Sequence, residues 1–298
     1  MRACTMALMC AAAAGAFTPR IPTTSSPQLR RSPAGGFRGD GARLPALCSL
    51  RGGADAEAGA AADIRRNLED VQAQVRDAAA SHGRGVPRLV AVSKLMPASA
   101  VQAAFDTGHR AFGENYVQEL IGKAPQLPDE VEWRFIGNLQ SNKAKSLVAG
   151  VPNLAVVETV DTAKIATALN KACEAAARPT PLKVMLQVLT SGEDSKSGCL
   201  PDETVSLAEH ITSSCPRLVI TGLMTIGKFG DPNPEPYFEC LHECRQKVAT
   251  AMGVDADSLE LSMGMSGDFA KAIAAGSTSV RVGTAIFGSR PPAKLPPS

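Results

Sequence analysis

The sequence predicts an α/β fold: a single (β/α)8 TIM barrel with an extra N-terminal helix and no C-terminal β-domain. Three observations lead there. Eight short apolar, strand-like runs alternate with helical segments over about 240 residues, the size of such a barrel. The first run is followed by Lys94-Leu-Met-Pro97, where a doubly wound open sheet would need a Gly-rich dinucleotide turn. After Gly288 there is only a short polar, Pro-rich tail, residues 291–298, and no second domain is expected.

Each element has its own signal. In residues 61–80, Ile64, Leu68, Val71 and Val75 recur on one helical face, and the pattern stops near His82-Gly83. Residues 88–94 form the first strand. Pro97 opens the next helix and Gly108 closes it. Residues 110–115, 133–137 and 153–160 read as the second, third and fourth strands. Asp161, a good N-cap, starts a strong helix to residue 177. Residues 182–189 are nearly all apolar, as a strand buried on both faces should be. Residues 218–224 are the sixth strand and 259–263 a weak seventh. Residues 279–283 are the eighth, with the strand-like run continuing to Phe287.

The first 54 residues are set apart as a targeting presequence. A short apolar core follows Arg2 and ends in the small residues Ala14-Gly-Ala16, and 17–54 is rich in Arg, Ser, Thr, Pro and Gly. This resembles the bipartite plastid presequence of algae with secondary plastids; mitochondrial and cytoplasmic destinations are the alternatives. The apolar stretch 6–17 is too short to span a bilayer. The segment holds seven Arg and one acid, Asp40, so the formal net charge of +2 hides a body at −4. A mildly acidic body argues against nucleic acid as the main partner. The five cysteines of the body show no metal-ligand spacing and read as free, mostly buried thiols. The four histidines are unclustered.

In a parallel barrel the chemistry sits where strands end and loops begin. Lys94 comes straight off an apolar strand, where partial desolvation would free its amine as a nucleophile. Taken alone it reads first as an ordinary lysine snorkelling at a strand end. Ser262-Met-Gly-Met-Ser266-Gly-Asp runs from strand seven into a helix over 268–275, and Arg281-Val-Gly283-Thr284 runs out of strand eight. Small residues there let backbone N–H groups approach an anion, the usual barrel phosphate site, although each stretch alone is also ordinary turn chemistry. Glu114-Asn115, Asn138, Gln140-Ser-Asn142, the loop 191–198 and Met224-Thr225 are polar strand ends that together would line a cofactor ring or close over it, although each alone reads first as a solvated loop residue. Lys228, past the sixth strand, is the competing lysine and would suit a Schiff-base aldolase.

The motifs taken together resemble the pyridoxal phosphate homeostasis family, of the alanine racemase N-terminal-domain-like superfamily. They are Val90-Ala-Val-Ser-Lys94, Phe112-Gly-Glu-Asn-Tyr-Val-Gln-Glu119, Phe135-Ile-Gly-Asn-Leu-Gln-Ser-Asn-Lys143, Gly192-Glu-Asp-Ser-Lys-Ser-Gly198, Gly222-Leu-Met-Thr225, Leu261-Ser-Met-Gly-Met-Ser266 and Val280-Arg-Val-Gly-Thr-Ala-Ile-Phe-Gly288. The resemblance covers about residues 60–290 and implies one barrel, over 55–290, binding pyridoxal 5′-phosphate (PLP). It implies that Lys94 forms the Schiff base and that Ser266, Gly283 and Thr284 hold the phosphate. It places Arg281 at the phosphate or the pyridine nitrogen, and Asn115 and Met224 beside the ring. One departure is visible: Arg134 stands where the family usually has His, and the change is expected to touch a contact near the barrel mouth.

The racemases of this fold need a second base, usually a tyrosine from an extra β-domain. This chain has two tyrosines, Tyr116 and Tyr237, and no β-domain is expected after Ser298. The resemblance therefore implies a monomeric carrier that buffers PLP and passes it to PLP-dependent apo-enzymes without robust turnover. Tyr116, beside Asn115, keeps a weak amino-acid racemase as the alternative. No catalytic residue, metal, membrane or nucleic acid is assigned.

Overall fold

Eight parallel strands close on themselves in the computed structural model of the chain, in the order of the sequence. They are β1 (Arg88–Val92), β2 (Ala111–Glu114), β3 (Glu132–Phe135), β4 (Leu154–Val160), β5 (Leu182–Gln187), β6 (Leu218–Met224), β7 (Glu260–Met265) and β8 (Ser279–Val282). The helices are α1 (Ser49–Ser81), α2 (Ala98–Phe105), α3 (Val117–Lys123), α4 (Ala144–Gly150), α5 (Ala163–Ala175), α6 (Thr204–Ser214), α7 (Glu235–Met252), α8 (Phe269–Ala274) and α9 (Thr284–Phe287). The structure describes residues 49–193, 197–228 and 230–289. The presequence reading, most of the loop motif around Lys196 and the tail at 291–298 lie outside the described residues.

The single barrel expected from the alternation is what the strands build. β1 pairs with β8, Val90 opposite Arg281, and this pair closes the ring. Period-two alternation divides each strand between two environments. Val157, Val184, Leu186 and Leu223 join the large core between strands and helices. Their neighbours Val156, Met185 and Met224 form a separate cluster inside the barrel. Ile64, Leu68, Val71 and Val75, the predicted face of α1, are all buried, together with Ala79. Burying one such aliphatic side chain contributes about 1.5–3 kcal/mol, enough to hold this added helix on the barrel wall.

Two local expectations need correction. The apolar run after β8 does not continue as strand: Thr284 to Phe287 turn into the short helix α9, with the Phe287 N–H donating to the Gly283 carbonyl at 3.0 Å. Local hydrogen bonding after Gly283 overrides the strand propensity of the sequence. The N-cap of α5 is Thr162 and not Asp161, because the Thr162 hydroxyl accepts from the Ile165 N–H at 3.3 Å.

Gly137 fixes a close approach between two strand ends. A Cβ there would lie 2.0 Å from the Asn115 carbonyl oxygen. Gly137→Ala is therefore expected to push the end of β2 outward and to cost about 1–3 kcal/mol in a denaturant titration. An unchanged midpoint would show that the two strand ends separate freely.

Candidate functional site

The seven predicted site residues come from five strands that are consecutive around the ring: β6, β7, β8, β1 and β2. Each residue lies at or beyond the C-terminal end of its strand, except Arg281, which is inside β8. Ser266 follows β7, Gly283 and Thr284 follow β8, Asn115 follows β2, and Met224 ends β6. The closed barrel thus brings residues as far apart in the chain as Lys94 and Thr284, separated by 190 positions, onto one arc of one rim.

Lys94 stands two residues beyond β1 and is half-buried. The strand ladder persists to Ser93, whose N–H donates to the Gly113 carbonyl at 3.0 Å. After Lys94 the chain turns sharply, since Leu95 has a positive φ of 64°. Ser266 and Thr284 expose their hydroxyls, while Gly283 is buried. Gly264, at φ 95°, bends the end of β7 toward Ser266, and a Cβ on it would meet Ala272 Cβ at 2.6 Å. Met224 is buried against Val156 and Met185 inside the barrel. Asn115 is half-buried, and its Oδ1 is buried without a hydrogen-bond partner.

Arg281 is the anchor of a buried polar chain. Its Nη1 donates to Ser262 Oγ at 2.7 Å and its Nη2 to the Thr225 carbonyl at 2.7 Å. Ser262 Oγ donates to Glu158 Oε2 at 2.6 Å. Arg134 Nε donates to the other oxygen of Glu158 at 2.5 Å, and Arg134 Nη2 to Glu260 at 3.0 Å. Burial alone would raise Glu158, yet the guanidiniums of Arg134 and Arg281 outweigh it and hold its carboxyl below the ordinary value. Arg281 is lowered by burial, partly offset by Glu158. Arg134, one residue short of the C-terminal end of β3, is 2% exposed, and its guanidinium spans from Glu158 to Glu260, the first residue of β7.

A second buried cluster lies behind Lys94. Lys123 Nζ donates to Glu114 Oε1 at 2.6 Å, to Glu119 Oε1 at 2.8 Å and to the Ser93 carbonyl at 3.0 Å. Ser93 Oγ donates to Glu114 at 2.6 Å. Burial pushes the Glu114 carboxyl up, against the pull of Lys123. Glu114 was expected to face a cofactor ring with Asn115; it is instead fully buried in this ion cluster. On the opposite side of the rim, Asn138 donates to the Ser197 hydroxyl and Gln187 to the Ser197 carbonyl at 2.7 Å, tying the end of the 191–198 loop to β3 and β5.

The remaining candidates separate. Lys228 is exposed, four residues past the end of β6. Tyr116 is 52% exposed at the N-terminus of α3. The Tyr237 hydroxyl donates to Asp231 at 2.6 Å, and that hydrogen bond raises its pKa. The five described cysteines are free thiols, and burial pushes Cys199 up to about 12. Among the described residues no group of His, Cys, Asp or Glu could hold a metal ion.

Residue-type reasoning missed Ser93, Glu119, Lys123, Glu158 and Ser262 as parts of the site's support. Two signals were available. Glu158 is an acid inside the apolar run of β4, which calls for a buried partner. Glu119 and Lys123 are four apart, the spacing of an ion pair on one helix face.

The chain is similar over most of its length to known proteins. The family profile described as "Alanine racemase, N-terminal domain" matches residues 66–291. The pyridoxal phosphate homeostasis protein of Mus musculus is 47% identical over 256 residues, covering 83% of this chain and 93% of that protein. The protein of the same description from Schizosaccharomyces pombe is 44% identical over 78% of this chain and 94% of its own. Among solved structures, PipY of Synechococcus elongatus with PLP bound is 32% identical, with a TM-score of 0.61, covering 76% of this chain and 100% of that one.

Proposed function

We propose that this chain, which belongs to the pyridoxal phosphate homeostasis protein family, binds pyridoxal 5′-phosphate through Lys94 and carries and buffers it without robust turnover. The observation that carries this reading is the convergence of Lys94, Asn115, Met224, Ser266, Arg281, Gly283 and Thr284 on one arc of the rim. It is supported by the relative solved with PLP bound.

The residues present fit the group. Asn115 Oδ1 is a buried acceptor lacking a partner, which a bound polar ring substituent would satisfy. Ser266 and Thr284 offer exposed hydroxyls at adjacent strand ends, where a phosphate would lie. When bound, PLP supplies an aldehyde that condenses reversibly with amines. Lys94 would hold that aldehyde through its amine, and exchange with another amine would release it. Arg281 stays a donor at the floor of the site, its charge balanced by Glu158 through Ser262.

The carrier reading needs no second base. The Tyr237 proton is committed to Asp231, and its raised pKa makes it a poor base at neutral pH. Tyr116, exposed beside Asn115, is the residue that a weak racemase would use. The two separate by incubating the PLP-loaded chain with L-alanine in D2O and following the α-proton by NMR. A carrier leaves the α-proton in place over hours while still loading an added PLP-dependent apo-enzyme. Exchange over many turnovers, lost in Tyr116→Phe, would replace the carrier reading with the racemase. Monomeric behaviour and plastid delivery by residues 1–54 belong to the same reading, and a fluorescent fusion of that segment tests the address.

A further inference from the structure

Lys94 sits between two peptide groups, and side chains of one helix hold both. The carbonyl of the 93–94 peptide accepts from Lys123 Nζ at 3.0 Å and from the Met96 N–H at 3.1 Å. The N–H of the 94–95 peptide, on Leu95, donates to Glu119 Oε1 at 2.6 Å. The same Glu119 oxygen accepts from Lys123 at 2.8 Å, so the two holds are one unit built on α3. Lys123 is buried and spends its three N–H donors on Ser93, Glu114 and Glu119.

The arrangement holds the backbone in an unfavourable state. Leu95 is non-glycine at φ 64°, a conformation that L-residues rarely adopt and that persists only where surroundings over-determine it. The Glu119 carboxylate on its N–H is such a surrounding. With both flanking peptide planes fixed, φ and ψ of Lys94 are fixed, and so is the direction in which its side chain leaves the rim.

We infer that Glu119 and Lys123 are positioning residues for Lys94, clamping the two peptides on either side of it so that its amine meets the aldehyde in a single orientation. The inference rests on the PLP reading above. They touch neither the cofactor nor the reacting atoms; they act through the backbone of 93–95.

The test uses the full chain and three variants, Glu119→Ala, Lys123→Met and Glu119→Gln, with PLP as the probe. Thermal melts report folding. The readouts are the equilibrium constant for forming the Lys94-linked absorption band, the pH midpoint of that band, and, without PLP, the rate at which Lys94 is acetylated by acetic anhydride, read by peptide mapping. Glu119→Ala and Lys123→Met are expected to lower the equilibrium constant about tenfold and to change the Lys94 acetylation rate. Glu119→Gln keeps an acceptor for the Leu95 N–H and is expected to recover most of the loss. Folded variants with wild-type equilibrium constant, midpoint and acetylation rate would overturn the positioning role. If Lys123→Met does not fold, Glu119→Ala decides alone, because Glu119 is at the surface of the cluster. Absence of any band in the wild-type chain would instead overturn the PLP reading, and the acetylation rates would still decide whether the clamp orients Lys94.

Discussion

Lys94→Ala is expected to abolish the visible absorption band that the purified body, residues 55–298, develops with PLP, together with the adduct trapped by borohydride. The reason is chemical. Reduction by borohydride makes a stable secondary amine only where an imine nitrogen was present, and alanine supplies none. The phosphate contacts proposed for Ser266, Gly283 and Thr284 would remain, so binding should weaken by about 100-fold, or ~3 kcal/mol, and not vanish. Lys228→Ala serves as the control, since Lys228 is exposed and lies beyond the end of β6. Peptide mapping of the reduced wild-type chain should place the adduct on Lys94. An adduct on Lys228, or a band surviving in Lys94→Ala, would return the chain to the aldolase reading.

The second large effect should come from a residue that touches no ligand. Glu158→Ala removes the carboxylate that lies between Arg134 and Ser262 and balances Arg281. Arg134 keeps Glu260 and Arg281 keeps the Thr225 carbonyl, but the buried pair of guanidiniums is left short of negative charge. Breaking a buried ion pair from one side costs about 3–5 kcal/mol. For a domain of this size that is a fall in Tm of roughly 6–20 °C. Glu158→Gln keeps the hydrogen-bonding shape and loses only the charge, so its loss should be smaller. A melt of Glu158→Ala within a degree of wild type would show that the network contributes nothing net.

The same group sets an acid limit. The folded Glu158 titrates below its ordinary value of 4.5. Its contribution is therefore complete above about pH 4.5, the unfolded value, and is lost as pH falls through the lower folded value. Glu114 has the opposite sign. Burial raises its folded pKa, so its cost is felt at pH above that raised value and fades as the pH drops toward the unfolded one. Stability curves of wild type and Glu158→Gln should converge in acid, where Glu158 is protonated in both states.

How much was legible from residues differs from element to element. The face of α1 was readable because four aliphatic side chains repeat at helical spacing and nothing competes with that period. β4 and β5 were readable because a strand buried on both faces must be apolar nearly throughout. The run after β8 was misread, since Ala285, Ile286 and Phe287 suit a strand as well as a turn of helix, and only the hydrogen bonds after Gly283 decide between them. Arg134 was recognised as unusual in kind, but its partners Glu158 and Glu260 were not. Which charges meet inside the barrel depends on the stagger of eight strands, which no single run records.

By itself the sequence determined the barrel, the lysine at the end of its first strand and the small-residue turns after its last two. Each of these is a local property: periodicity, strand length and the chemistry of a turn. Tertiary structure alone decided what stands behind those groups. Glu158 and Arg281 are 123 positions apart, and Lys123 reaches Ser93 across 30, because closing the ring sets β4 opposite β8 and lays α3 under the end of β1. Burial of a charge is stable only with its partner in place. The partners of these charges are chosen by the packing of strands distant in the chain, and spacing along the sequence carries no record of that choice.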